Sequence, residues 1–233
     1  MCFILKVNSG YTDKYENHVS LYSYSGYVTT PSAYITDGKL GFHYTYLPAP
    51  VAPFHKKHSD NWIFSGALGF LPFVEGYLSV FVAPKINISK SIPDYGADKT
   101  RSMGVKIRAF PESGRIPAVA VGIYDPNLKK AGVNFSANTV SSIFVVASKR
   151  HTHGEISLGY GYKGASGKYV RLKGIFGGIT ISLHENISVL ADYDSEFWCA
   201  GLNVRCLGID LLAAGVHRHG QAYRVGYSWQ LLD

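Results

Sequence analysis

The chain closes on Ala222-Tyr223-Arg224-Val225-Gly226-Tyr227-Ser228-Trp229-Gln230-Leu231, where Tyr, Val, Tyr, Trp and Leu alternate with Ala, Arg, Gly, Ser and Gln. Side chains alternate across an extended strand, so this segment shows one face to an apolar medium and the other to a wet one. Large aromatics on the first face, with small residues and a charge on the second, are the pattern of a transmembrane β-barrel strand. Three further runs repeat it. Met103, Val105, Ile107 and Ala109 alternate with Ser102, Gly104, Lys106 and Arg108, which puts two cations on one face of one strand. Ile156, Leu158, Tyr160 and Tyr162 alternate with Glu155, Ser157, Gly159 and Gly161, and Leu40, Phe42, Tyr44 and Tyr46 alternate with Gly41, His43 and Thr45.

Weaker runs cover residues 61–71, 77–83, 117–124, 141–149, 174–183, 187–194, 197–205 and 208–216, with an imprecise strand near 17–28. The expected total is about twelve strands, each close to the roughly 9–11 residues that a tilted membrane strand needs. Residues 47–60, 85–100 and 125–138 read as longer extramembrane loops, whereas Glu185-Asn186 and His217 to Gly220 read as short turns. The reading is therefore all-β: a single antiparallel transmembrane β-barrel spanning residues 1–233 as one domain, with residues 1–25 as an irregular N-terminal segment.

Composition narrows the choice of surroundings. The 233 residues include 25 Gly, 17 Tyr and 12 Phe, and only 17% are charged. Mean hydropathy is +0.02. Half of every barrel strand faces the lumen, so a neutral average is expected, and no apolar run reaches the length of a transmembrane helix. A soluble β-sandwich has a similar average. The formal net charge of +7 comes from cations scattered over strands and loops, so nucleic acid is not an expected partner. A positively biased lumen would instead favour anionic solutes.

The charges opposite the apolar faces are the candidate lumen residues: Lys106, Arg108, Glu155, Asp192, Asp194, Arg205, Asp210 and Arg224. A cation facing lipid at mid-depth costs roughly 2–4 kcal/mol, so these side chains should point inward, where they either pair and fill the lumen or line a narrow pore. Inward glycines at 104, 122, 159, 161 and 226 should leave space there. Cys199 and Cys206 could face each other across a tight hairpin as a candidate disulfide, or remain free thiols, with Cys2 apart.

Other chemistry is weakly signalled. His151 and His153 have a spacing that can hold a metal but lack a third ligand; His217 with His219, and His55 with His58, are no better placed. No metal and no cofactor are expected. Ser157, His43 and Glu155 are conceivable parts of a hydrolase, but no Gly-x-Ser-x-Gly elbow is present, and Gly174-Ile175-Phe176-Gly177-Gly178 lacks the strand-to-helix setting of a phosphate loop. An enzyme is not expected. Met1 to Gly10 is too short in apolar residues for a secretory core, so an export signal would lie outside this numbering or have been removed.

Several phrases, taken in order, resemble the YjbH-like outer-membrane proteins of exopolysaccharide biosynthesis operons. They are Ser25-Gly26-Tyr27-Val28-Thr29-Thr30-Pro31-Ser32-Ala33 with Asp37-Gly38-Lys39-Leu40-Gly41, then Arg101 to Arg108 and Ile116 to Asp125. Ala147-Ser148-Lys149, Gly159-Tyr160-Gly161, Phe176-Gly177-Gly178 and Asp192-Tyr193-Asp194 follow. At Pro126 to Lys130 the family's Gly-Thr-Gly-like segment is replaced. The resemblance implies a non-enzymatic barrel in the bacterial outer membrane, assisting export or surface anchoring of an exopolysaccharide. Its implied partners are the lipid bilayer, a polysaccharide, and outer-membrane or periplasmic proteins. An accessory subunit of a larger outer-membrane complex is the alternative, and a soluble carbohydrate-binding sandwich a third.

Overall fold

The computed structural model describes residues 17–49, 60–83, 98–124, 142–163, 172–218 and 220–231. Among them are twelve strands: β1 (Lys39–Leu47), β2 (Asn61–Leu71), β3 (Val74–Ala83), β4 (Asp98–Phe110), β5 (Ala118–Tyr124), β6 (Ser142–His151), β7 (Gly154–Lys163), β8 (Gly174–His184), β9 (Ile187–Tyr193), β10 (Trp198–Cys206), β11 (Ile209–Val216) and β12 (Gly220–Gln230). Each pairs antiparallel with its sequence neighbours, and β1 pairs with β12, so the sheet closes into a barrel without an edge. Closure of β1 on β12 runs from Lys39 opposite Gln230 to Tyr46 opposite Tyr223.

The register puts the alternating sets where the pattern requires. On β12, Tyr223, Val225, Tyr227 and Trp229 are exposed on the outside, while Ala222 and Arg224 are buried inside. The outer wall continues through Phe42, Phe64, Leu78, Met103, Val121, Ile156, Leu158, Tyr160 and Ile179. A closed antiparallel sheet with an apolar, aromatic-rich exterior and a polar interior is a transmembrane β-barrel. No helix among the described residues is long and apolar enough to cross a membrane.

The two rims differ. At one, strands join through Pro72-Phe73, residues 111–117, Thr152-His153, Glu185-Asn186 and Leu207-Gly208. At the other, four of the connections (48–60, 84–97, 125–141 and 164–173) are much longer, and only 194–197 and 217–219 are short. Glu185-Asn186 and the 217–219 turn, both expected as short turns, therefore lie at opposite rims.

Residues 17–36 depart from expectation. The imprecise strand near 17–28 does not form, and the barrel reaches twelve strands without it. The irregular N-terminal segment lies inside the barrel as far as it is described; residues 1–16 fall outside the described set. Its backbone folds back on itself through bridges Val19 to Ser25 and Gly26 to Pro31, with bonds from Leu21 N to Val28 O and from Ser32 N to Ser25 O. At the tip, Ser23 takes a left-handed φ of 79°. From Val19 to Ile35 every residue is buried. A chain with its own backbone bonds and small hydroxyl residues can fill a polar lumen, which an isolated apolar strand could not.

Candidate functional site

The site is the lumen and the plug that occupies it. Both ends of the plug lie at the short-turn rim. Asn17 O accepts a bond from Arg205 near the β10–β11 turn, and Thr36 donates through its N–H and its hydroxyl to Glu75 at the start of β3, at 3.0 and 2.9 Å. Between them the segment reaches toward the long-loop rim, where the Tyr124 hydroxyl donates to Tyr22 O at 2.9 Å.

Three wall carboxylates hold the plug. Glu75 accepts from Ser25 N at 2.8 Å and from the Ser25 hydroxyl at 2.7 Å. Lys106 stands 3.6 Å from Glu75 and donates to the carbonyls of Ser25 and Ser32 at 2.9 and 3.0 Å; neither charged side chain is exposed. Asp192 accepts from the N–H groups of Thr29 and Thr30 at 2.6 and 2.8 Å and from both threonine hydroxyls. The Tyr27 hydroxyl donates to Glu155 at 3.0 Å and shares a hydrogen bond with the Ser157 hydroxyl at 2.6 Å, and Ala33 N donates to the Ser148 hydroxyl at 2.7 Å. Charged acceptors make the stronger class of hydrogen bond, so these contacts fix the plug's position as well as fill space.

Of the sequence candidates, Lys106, Glu155, Asp192, Asp210 and Arg224 face the lumen and are buried or nearly so. Arg224 and Arg205 share Asp210, Arg205 at 2.9 Å, and Asn203 donates to the same carboxylate. Arg150 pairs with Glu155 at 3.4 Å. Arg108 sits at the short-turn rim and donates to Pro72 O, while Asp194 is buried at the other rim, accepting from Glu196 N and Phe197 N in the β9–β10 turn. The lumen is thus filled by a chain segment, not by bridging Arg and Lys side chains alone. Its cations Lys106, Arg150, Arg205 and Arg224 stand against carboxylates, so the expected positive bias is largely cancelled along the wall.

The inward glycines do not leave space. A Cβ at Gly104 would lie 1.8 Å from the Tyr77 hydroxyl oxygen, at Gly122 it would lie 2.2 Å from the Phe144 ring, and at Gly159 it would lie 2.2 Å from the Phe176 ring. Gly226 lies under His43, Gly161 against the Leu172 backbone, and Gly178 under the plug's Tyr27 ring, which a Cβ there would approach to 2.6 Å. Glycine is used here so that a neighbouring ring can lie flat on the wall. Tyr24 of the plug meets Tyr77 and Tyr124 edge-on, with centroids 5.9 and 4.8 Å away.

The disulfide reading is corrected. Cys199 and Cys206 both lie on β10, seven residues apart and therefore near opposite ends and on opposite faces. Cys199 is buried, Cys206 is exposed, and neither forms a disulfide. Their separation along one strand is far beyond the roughly 7 Å limit between Cα atoms of a bridged pair. Cys2 lies outside the described residues, as do His55, His58, His219 and the loop at Pro126 to Lys130.

His151 and His153 are exposed at the short-turn rim and His217 at the opposite one. Among the described residues no group of three metal-binding side chains forms. Ser157 and Glu155 are both occupied by Tyr27, whereas His43 stands across the barrel on β1 with its ring against Gly226.

Outside the membrane-spanning strands, Glu112 ties the plug to the short-turn rim. It accepts from the Tyr34 hydroxyl and pairs with Lys149 at 2.6 Å, while Tyr34 lies under the Arg150 guanidinium at 3.8 Å. Partial burial pushes the Glu112 carboxyl up, but the bonds from Lys149, Tyr34 and the Arg150 N–H outweigh it and hold it below the usual range.

Glu75, Ser25, Thr29 and Thr30 were not identified by the alternation. Glu75 precedes the run that marked β3, and Ser25 to Ala33 stood out as a phrase of the resemblance and, up to Val28, as part of the imprecise strand. The family model described as "Exopolysaccharide biosynthesis protein YbjH" matches residues 18–189, from the first plug residues into β9. The chain belongs to the YjbH family. Plug and wall up to Val189 fall within the matched span, so the lumen filling is made mostly of family sequence. No curated protein matches this YjbH-family chain. Among solved structures, the "KdgM porin in complex with disordered oligogalacturonate" is similar at 9% identity and a TM-score of 0.48, covering 82% of this chain and 98% of that one.

Proposed function

We propose that this YjbH-family chain is a non-enzymatic barrel of the bacterial outer membrane that assists the export or surface anchoring of an exopolysaccharide, with its lumen closed at rest. The observation that carries the reading is the plug. Residues 17–36 fill the lumen through bonds to Glu75, Asp192, Glu155 and Ser148, and both of its ends leave at one rim. Outer-membrane barrels carry short turns on the periplasmic side and longer loops outside, so the plug would enter and leave from the periplasm. A barrel closed in this way protects the membrane's permeability until an export apparatus engages it. The family description supports the connection with exopolysaccharide, and the apolar exterior supports the bilayer as a partner.

The test is deletion of the gene in its own host, with surface glycan and secreted glycan measured separately. Export assistance predicts loss of both, whereas anchoring predicts glycan shed into the medium. Unchanged glycan in both fractions would overturn the proposal. The accessory-subunit reading is supported by the position of the plug's two ends at the short-turn rim, which on a periplasmic orientation of that rim would leave them accessible to periplasmic proteins. Recovery of stoichiometric partners from membranes under mild detergent would favour it.

A further inference from the structure

The wall contacts beneath the plug have a chemistry of their own. Toward the plug the wall offers mainly acceptors: the carboxylates of Glu75, Asp192 and Glu155 and the hydroxyls of Ser148 and Ser157. Between them lie flat aromatic rings of Tyr77, Tyr124, Phe144 and Phe176. The plug answers with the hydroxyls of Ser25, Tyr27, Thr29 and Thr30 and with the ring of Tyr24 set against Tyr77 and Tyr124. Hydroxyl donors beside a carboxylate, with an apolar face on an aromatic ring, are also what a sugar residue presents to a binding site.

Charge narrows the class of sugar. Glu75 keeps Lys106, Glu155 keeps Arg150, and Asp210 keeps both Arg205 and Arg224, all of them belonging to the wall. Asp192 is different: it is held by the plug's Thr29 and Thr30, and no cation among the described residues forms an ion pair with it. With the plug withdrawn, Asp192 would face the lumen as an uncompensated carboxylate. A uronic acid passing it would meet a like charge in a poorly screened space, whereas a neutral sugar would supply the hydroxyls it has lost.

We propose that residues 17–36 occupy the lumenal track of a neutral, hydroxyl-rich glycan, standing in for it in the closed state, and that Asp192 selects against acidic sugars. The inference rests on the reading of the barrel as part of an exopolysaccharide system and adds the substrate class. Both described ends of the segment, Asn17 and Thr36, lie at the short-turn rim, which is the side toward which it would withdraw.

The test uses the full chain with Gly178→Val. A side chain there takes the place of the Tyr27 ring, whose Cγ lies 2.6 Å from the new Cβ, so the plug is dislodged by one added side chain on β8 while the rest of the wall is unchanged. In planar bilayers the unaltered chain should stay closed and the variant should conduct. Maltohexaose, as the neutral probe, should interrupt that current at a concentration about tenfold or more below that needed of hexagalacturonate, because like charges brought together oppose binding. Adding Asp192→Asn should shrink the gap.

Equal or stronger block by the acidic hexamer would overturn the proposal, as would block by neither. If Gly178→Val fails to assemble, Tyr27→Ala removes the ring from the plug and leaves the wall untouched, with the same readout. No current from either variant would mean the plug is a permanent part of the barrel, which also overturns it. Selectivity of the opened lumen is read on purified protein, so its failure is distinguishable from unchanged glycan in the deletion strain.

Discussion

The Lys106–Glu75 pair gives the sharpest test of how the plug is held. Replacing Lys106 with Met leaves a fully buried carboxylate without its cation and leaves the carbonyls of Ser25 and Ser32 without their donor. Breaking a buried pair from one side costs about 3–5 kcal/mol, because the remaining charge keeps its desolvation cost without its partner. Four donors from Ser25 and Thr36 still reach Glu75, which argues for the lower end of that range. Glu75→Gln together with Lys106→Met removes both charges and should cost less than the sum of the single changes, with a coupling of about 2–3 kcal/mol. The assay is reversible urea unfolding in detergent, followed by fluorescence of Trp62, Trp198 and Trp229, and paired with proteolysis inside residues 17–36. Lys106→Met should expose the plug to protease before the barrel unfolds. A variant within about 1 kcal/mol of the parent with its plug still protected would refute the claim that this pair holds the plug.

Further outcomes follow from the same geometry. Val121→Arg, on the outer wall, should cost roughly 2–4 kcal/mol if it meets the bilayer mid-plane, whereas Ser102→Ala, whose buried hydroxyl has no partner among the described residues, should be close to neutral; equal effects in a membrane-assembly assay would reject the facing of β4 and β5. Phe176→Ala removes the ring that lies against Gly159 and should destabilise by about 3–5 kcal/mol, measured as a shift in the urea midpoint. Thiol labelling of folded protein in detergent should modify Cys206 rapidly and Cys199 only after unfolding; a blocked pair in unreduced protein would reject the free thiols. The Glu112 carboxyl is held below its unfolded value, so its contribution to plug anchoring is full above that value and fades as pH falls through the lower folded one. Acidification should therefore raise protease sensitivity of residues 17–36, and Glu112→Gln should remove that pH step.

The barrel was legible because its physics is periodic. Lipid outside and polar groups inside impose a two-residue alternation on every strand, and β4, β7 and β12 state it in unbroken runs. The inward charges followed from the same rule, since a cation cannot face lipid at mid-depth without cost. The plug has no such period. Residues 17–36 are bonded to themselves and surrounded on all sides by wall, so no residue spacing distinguishes an inner from an outer face. Tyr22, Tyr24 and Val28 supplied enough apolar character to suggest a strand, while the Ser and Thr hydroxyls that determine the segment's place find partners far along the chain. Thr29 and Asp192 are 163 positions apart.

The glycines show the same limit in a single residue type. From the alternation alone, Gly104, Gly122, Gly159 and Gly226 are inward positions without side chains, and empty space is the natural consequence. Whether that space stays empty depends on the residue across the strand pair or beside it, and here it is Tyr77, Phe144, Phe176 or His43. The rings lie down on the glycines and line the wall with flat apolar surface, leaving room at the centre for a second layer. That second layer is the plug. Small wall residues, flat rings and an inserted polar segment therefore form one arrangement: the glycines let the rings lie flat, the rings and carboxylates grip the segment, and the segment closes a barrel whose twelve strands would otherwise enclose a channel.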